Sequence, residues 1–399
     1  MTVTDSTSGL VVRSSRVDTW RVHATQEVAY EIRQCDDVFD PDSTDLVHAA
    51  RGAGSRRRFV VIDSRVNELY GARMVEYFDH HGVEARILPL EVDETVKNLD
   101  TVTRIVREID AFGIDRRREP IIVIGGGVIM DVVGLAANLY RRGTPFVRVP
   151  TTLIGLVDAG VGVKTGVNFN SHKNRLGTYF DKSLTLLDTG FLASLDRRHL
   201  SNGLGEILKI ALIKDRELFV LLDRFGADLL RERFQNSDRL GRRAAASTLQ
   251  RAIQGMLEEL QPNLWEANLE RLVDYGHTFS PTIEMRALPE LLHGEAVAVD
   301  MAITTMIATH RGLMSAAESA SVLNVMAKLG LPTWDDSLDA DLLARALEET
   351  VRHRDGQQRL PLPVGIGAAT FVNDVTHQEL DAALSSLHSA SYSKELQTA

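Results

Sequence analysis

Three residues carry the chemistry of metal ligands: Glu206 in GLGEILKIALIK, His277 in DYGHTFS and His293 in LLHGEAVAVD. One carboxylate and two imidazoles fill three positions around a Zn²⁺ ion and leave a fourth for a substrate oxygen. The histidines are far apart in sequence, so they form no compact motif. Buried, hydrogen-bonded polar residues are the other reading of the same three side chains.

A second group crowds the segment after Thr151 and Thr152: Asp158, Lys164, Asn168, Lys173, Asn174 and Arg175. Lys209 follows Glu206 by three residues, on the same helix face. Arg142 precedes Gly143 at a helix end. Cations mixed with amide side chains suit a phosphate and several hydroxyls. A solvated loop has a similar composition.

A third group suits a dinucleotide. Gly125, Gly126 and Gly127 follow the apolar run Ile121–Ile124 and open a helix. Backbone without Cβ approaches a pyrophosphate closely, and a helix N-terminus offers free N–H groups. The spacing is GGGVIMD rather than GxGxxG, and a plain strand-to-helix turn would use the same glycines. Asp63 ends an earlier strand, where a carboxylate either takes ribose hydroxyls or caps the next helix. Glu94 and Lys97 open a further helix and either reach the adenosine half or cap that helix. Thr151 and Thr152 end another strand, where hydroxyls can bond a pyrophosphate or a nicotinamide amide.

The elements that must position these groups alternate through the first half. RFVVIDS, EARILPLE, PIIVIGG and PFVRVPT read as strands, with helical patterns between them. Such alternation implies a parallel sheet covered by helices. One or two strands are expected between Asp18 and Arg33, and a helix over Thr44–Gly52. The segment after the Thr-Thr strand reads as a loop. Beyond about Thr189 long helical patterns dominate. The expected organisation is a flexible tail over 1–15, an α/β dinucleotide-binding domain over 16–189 and an all-α domain over 190–399.

The chain has 399 residues, enough for two domains. A net charge of −10 argues against nucleic acid as the main partner. The single cysteine, Cys35, excludes an intrachain disulfide and a cysteine-based zinc site, and points to a cytoplasmic location. No apolar run suits a membrane span, and the start lacks a signal-peptide pattern.

Taken together, GGGVIMDVVG, PTTLIGLVDAGVGVKTGVN, KNRLG, GLGEILK, GHTF and HGEAVA, in this order, resemble the sugar phosphate cyclase superfamily, of which dehydroquinate synthase is the best-known member. The resemblance runs from about Val60 to Gly367. It implies an N-terminal NAD-binding domain, a helical C-terminal domain and a site in the cleft between them. It also implies a metal, Zn²⁺ or its substitute Co²⁺, on Glu206, His277 and His293. Asp131 and the glycines would carry NAD, with Lys173 counted among the cofactor residues. Asp158, Lys164, Asn174 and Lys209 would hold substrate. Arg142 would reach the substrate phosphate across a homodimer interface.

The departures from dehydroquinate synthase are informative. Where that enzyme has LNxGHTxGHAxE, this chain has LVDYGHTFSPTIE. Asp274 replaces an Asn and joins the residues expected at the chemistry; Pro281 replaces a second histidine. Met256 stands in the place of a substrate-binding lysine. A Lys-Lys segment is absent, with His353 and Arg354 in its place. Loss of a lysine fits a substrate without a carboxylate, because an unpaired buried cation is costly. GHTFSP, VDAGVGVKTGVNF and YRRG are similar to the 2-epi-5-epi-valiolone synthases, which cyclise sedoheptulose 7-phosphate on the way to aminocyclitol natural products. The implied reaction is a phosphate-eliminating cyclisation with transient oxidation by NAD and an aldol closure. The rival readings are a dehydroquinate synthase, another sedoheptulose phosphate cyclase with a valiolone or gadusol-type product, and a metal-dependent polyol dehydrogenase of the glycerol dehydrogenase type.

Overall fold

A computed structural model describes residues 11–13, 20–49, 56–91, 93–170 and 172–398. Most of the tail expected over 1–15 lies outside them. The strands of the first half are β1 (Val11–Arg13), β2 (Trp20–Val22), β3 (Glu31–Cys35), β4 (Arg57–Asp63), β5 (Glu84–Leu90), β6 (Ile121–Gly125), β7 (Phe146–Pro150), β8 (Lys164–Phe169), β9 (His172–Tyr179) and β10 (Ser183–Asp188). Its helices are α1 (Ser64–His80), α2 (Leu99–Phe112) and α3 (Gly127–Leu139).

Six strands form one parallel sheet in the order β3-β10-β7-β6-β4-β5. Its central strands are buried on both faces, as near-continuous apolar runs require. Alternate residues serve opposite layers. Phe59, Val61, Ile121 and Val123 pack with residues of α2 and α3. Val60, Ile62, Ile122 and Ile124 pack with Met74, Tyr77 and Phe78 of α1. The chain leaves β4 for β5 on one side and returns to β6 on the other. The crevice outside the ends of β4 and β6 is therefore a topological switch point, where ligands of open α/β sheets bind.

Two local expectations change. Residues 45–48 make only turns, with Leu46 and Val47 plugged into the core below α1, so the described part of Thr44–Gly52 is not a helix. The segment read as a loop is an antiparallel hairpin, β8–β9, preceded by a short wide helical turn over Gly155–Ala159. Val167 of that hairpin packs with α3 core residues, so one face of it is buried.

The second half holds α4 (Arg197–Ile213), α5 (Arg216–Arg231), α6 (Arg239–Leu260), α7 (Ser280–Arg286), α8 (His293–His310), α9 (Ala316–Lys328), α10 (Ala340–His353) and α11 (His377–Thr398). One small antiparallel pair, β11 (Leu360–Pro363) and β12 (Ala369–Val372), interrupts them. Helix α8 is buried from Gly294 to Ala308 on every side, which marks it as the central helix of the bundle. Pro281 sits in the first turn of α7, where its missing N–H costs nothing. Asp300 accepts from the Phe279 and Ser280 amides at the start of that helix.

Candidate metal and substrate site

Two helices meet at glycine. A Cβ on Gly294 would lie 1.9 Å from the Asn202 carbonyl oxygen, and one on Gly205 would lie 2.7 Å from the Gly294 carbonyl oxygen. Only glycine allows this approach of α4 to the N-terminus of α8, and the Gly294 amide donates to Asn202 Oδ1 at 2.6 Å. The contact sets Glu206 of α4 beside His293, the first residue of α8. Gly276, in left-handed backbone at φ +73°, lies against Val297 and turns His277 into the same space.

Glu206, His277 and His293 each offer a ligand atom, all within 4.8 Å of one another. His277 Nε2 and His293 Nε2 lie 3.6 and 3.5 Å from Glu206 Oε1. His277 Nδ1 faces the Tyr275 carbonyl at 3.1 Å, which leaves Nε2 as its free nitrogen. Oε1 of the fully buried Glu206, the oxygen that faces both imidazoles, has no hydrogen-bond partner. Buried polar atoms without partners are costly, and this carboxylate faces two imidazole nitrogens. The donor set fits a divalent cation of the zinc type.

Charge surrounds the cluster. Lys209 Nζ lies 2.5 Å from Glu206 Oε2, one turn away on α4. Burial raises the Glu206 carboxyl, but Lys209 and His277 outweigh it and hold Glu206 well below the usual range. Burial and the Lys209 cation drive His277 down to about 3, so its imidazole is neutral at ordinary pH. Asp158, on the turn before the hairpin, is lifted by burial and by Glu206. That turn is tied down from the sheet: Arg148 donates to the Gly162 carbonyl at 2.6 Å and Thr185 to the Gly160 carbonyl at 2.8 Å.

Lys164 opens β8 and ion-pairs with Glu266. Its side chain is half-exposed, but the protein packed around it strips water from Nζ and, with the nearby Arg271 cation, lowers it to about 8. Arg271 also pairs with Glu266, and it grips Asp274 through Nε at 3.0 Å and Nη2 at 2.8 Å. Arg354 Nη2 reaches the same Asp274 oxygen at 3.0 Å. Burial raises the Asp274 carboxyl, but Arg271 and Arg354 more than offset it, so Asp274 is held low. His353 Nε2 meets Arg175 of the hairpin at 2.7 Å.

The cofactor-side residues gather at the switch point. Asp63 caps α1 through the Arg65 and Val66 amides and lies against Gly125. Thr152 lies against Gly126, and the Thr151 amide donates to the Gly125 carbonyl at 2.9 Å. Lys97 caps nothing: α2 begins at Leu99 and is capped by Asn98, while Glu94 opens only a short 3₁₀ turn capped by Asp93. Lys97 is buried and donates to Asp131 at 2.6 Å and to Asn174 at 2.7 Å. Glu94 accepts from Asn168 at 2.9 Å. Lys173 points to the metal side, onto Glu284 and 3.0 Å from His293 Nδ1.

Arg142 stands apart. It is exposed, beyond the C-terminal end of α3, whose N-terminus is at the glycines. Thirteen helical residues put it roughly 20 Å from them. Glu266, Arg271 and Glu284 were not singled out from sequence. Glu284 had a signal, an acid in the GHTFSPTIE segment that also carries the candidate ligand His277.

Residues 87–202 match the family described as 3-dehydroquinate synthase N-terminal, and residues 203–351 match 3-dehydroquinate synthase C-terminal. The 2-epi-5-epi-valiolone synthase of Streptomyces albus is 64% identical over 96% of this chain and 93% of its own length. The enzyme of that name from an Actinoplanes species is 66% identical over 92% of each. Among solved structures, ValA, a 2-epi-5-epi-valiolone synthase from Streptomyces hygroscopicus subsp. jinggangensis 5008 with NAD⁺ and Zn²⁺ bound, superposes with a TM-score of 0.89. It is 53% identical, covering 93% of this chain and 100% of its own.

Proposed function

The chain belongs to the 3-dehydroquinate synthase family, and on that premise we propose that it is an NAD- and zinc-dependent carbon–oxygen lyase that cyclises sedoheptulose 7-phosphate to 2-epi-5-epi-valiolone, releasing phosphate. The observation that carries the choice of substrate is Asp274. It pairs with both the half-buried Arg271 and the buried Arg354, and Glu266 supplies a second carboxylate to Arg271. Those cations are spent within the protein, and a substrate carboxylate would meet Asp274 instead. Sedoheptulose 7-phosphate has no carboxylate; the carboxylated precursor of 3-dehydroquinate does.

Glu206, His277 and His293 would hold Zn²⁺. Gly125, Gly126, Gly127, Asp131, Lys97, Thr151 and Thr152 would hold NAD, with Asp63 and Glu94 at its adenosine half. When bound, NAD⁺ supplies a reversible hydride acceptor and Zn²⁺ a Lewis acid for the alcohol oxidised, with no net redox change.

The chain's own residues bind and steer. Lys209, buried and cationic, keeps Glu206 ionised, and Asp158 across from them takes a substrate hydroxyl. Lys164 and Asn174 grip the phosphate, so that its own oxygen can take the proton from the carbon next to the transient ketone. Asn174 spends its carbonyl on Lys97, which leaves its amide N–H groups to donate. Near pH 8 Lys164 gives up its proton readily, which suits a group that passes a proton at Nζ.

Arg142 serves this role only from a second copy, so the working unit is a homodimer with Arg142 of each protomer turned to the other's phosphate. The cofactor-binding unit ends near residue 189, where the sheet's last strand stops, and the helical unit follows. No described helix is long and apolar enough to cross a membrane, and a cytoplasmic location accords with that.

The test is phosphate release from sedoheptulose 7-phosphate with NAD⁺ and Zn²⁺, while absorbance is followed for NADH. Release without net NADH, with the product identified by NMR, is the expected result. Release only from the carboxylated dehydroquinate precursor would overturn the substrate, and steady NADH accumulation would point to a polyol dehydrogenase.

A further inference from the structure

Glu284 has no part in the proposed function, yet it is almost fully buried beside the metal cluster. Its two oxygens have different partners. Oε2 lies 2.9 Å from His293 Nδ1, and Oε1 takes the Lys173 ammonium. Lys173 Nζ also lies 3.0 Å from His293 Nδ1.

Two partners make opposite demands on His293 Nδ1: Glu284 can only accept from it and Lys173 can only donate to it, and Lys173 already spends its charge on the other Glu284 oxygen. An ammonium has donors alone, and a carboxylate paired with it has acceptors alone. If Nδ1 carried a lone pair, that lone pair would face the carboxylate oxygen at 2.9 Å. The favourable arrangement puts the proton on Nδ1, donating to Glu284. With Nδ1 committed to Glu284, Nε2 is the nitrogen left for a metal ion, and it lies 3.5 Å from Glu206 Oε1.

The three groups come from different elements: Glu284 from α7, His293 from α8 and Lys173 from the β9 strand of the hairpin. His277 has a different arrangement, with only the Tyr275 carbonyl behind its Nδ1. A carboxylate behind a ligating imidazole fixes its plane and raises its basicity more than a neutral carbonyl does.

We infer that Glu284 is a positioning residue of the metal centre, which holds His293 with Nε2 turned to the ion, and that Lys173 anchors Glu284 from the cofactor-side hairpin. The inference rests on the metal reading given under the proposed function. It assigns Lys173 to the metal centre as well as to the cofactor.

The test is zinc affinity of the full-length protein, measured by competition with a chromophoric chelator, without substrate or NAD⁺. The Co²⁺-loaded protein supplies an electronic spectrum as a second readout of coordination. Glu284→Leu should weaken zinc binding roughly 10- to 100-fold and alter the Co²⁺ spectrum. Glu284→Gln should lose less, because its amide oxygen still accepts from Nδ1. Lys173→Met should lose several-fold, since Glu284 keeps His293 but loses its anchor. Glu284→Leu within twofold of the unaltered protein, with an unchanged Co²⁺ spectrum, would overturn the inference. If the leucine variant does not fold, the same result for Glu284→Ala, which also lacks the acceptor, decides against it. Zinc affinity unchanged in Lys173→Met removes Lys173 from the arrangement. An unaltered protein that binds no zinc would end both the metal reading and this inference. One whose zinc affinity depends on Glu284 as expected but which leaves sedoheptulose 7-phosphate intact would end only the proposed substrate.

Discussion

Lys209 Nζ lies 2.5 Å from Glu206 Oε2, and both side chains are buried. Both residues lie on α4, one helical turn apart, and the pair sets the charge of the cluster. With the ammonium on one side and the two imidazoles on the other, Glu206 stays ionised and directed at the ion position. Removing the metal should therefore silence the protein rather than slow it. Dialysis against a chelator should abolish phosphate release, and Zn²⁺ or Co²⁺ should restore it. Full activity after metal removal verified by elemental analysis would reject the assignment.

Lys164 is expected to act on substrate and not on NAD. Lys164→Ala should lower kcat about 100-fold or more, the usual scale for a group that handles a proton. NAD⁺ affinity, read by calorimetry, should not change, because the glycines and Lys97 are untouched. Turnover close to that of the unaltered protein would remove Lys164 from the chemistry.

The pH profile should show the same residue. Loss of water around Nζ and the Arg271 cation lower Lys164 to about 8. Below that pH the ammonium predominates and attracts the phosphate; above it the neutral amine does not. Thus kcat/KM should fall above about pH 8, approaching tenfold per pH unit, while a profile flat to pH 9.5 would show that the ammonium is not required.

Asp274 should matter to stability as well as to substrate choice. Asp274→Ala leaves Arg271 and Arg354 facing each other without their shared carboxylate. Breaking a buried pair on one side costs about 3–5 kcal/mol. Urea unfolding should show a loss of that order. A loss below about 1 kcal/mol would mean that Glu266 and solvent already satisfy the two guanidiniums.

Gly125 should not tolerate a side chain. Its φ is +158°, and a Cβ would lie 2.6 Å from Ile129 Cγ2 and 3.1 Å from Asp63 Cβ. Gly125→Ala should cost about 1–3 kcal/mol by overpacking and weaken NAD⁺ binding. Unchanged NAD⁺ affinity would show that the glycine serves the turn alone.

Local patterns made much of this legible. The apolar run Ile121–Ile124 could only be a strand buried on both faces, and the glycines after it could only be a close turn into a helix. The hairpin was missed because residues 158–175 mix Gly, Asn and Lys, which read as loop, whereas Val167 and its alternate neighbours find a buried face only once α3 is in place. The helix expected near Thr44 fails because Leu46 and Val47 gain more from the core beneath α1 than from helical hydrogen bonds.

By itself the sequence determined the types of chemistry available: one carboxylate and two imidazoles for a metal, a glycine turn for a dinucleotide, lysines and amides for a phosphate. Those follow from residue type and short-range spacing, which need no third dimension. Tertiary structure alone decided which side chains share a charge. Arg354 finds Asp274 across 80 residues because α10 packs on α7 and β11 on the turn that holds Asp274, and Lys173 finds Glu284 across 111 because the hairpin folds back onto α7. Electrostatic pairing depends on distance in space, and no local pattern encodes that distance.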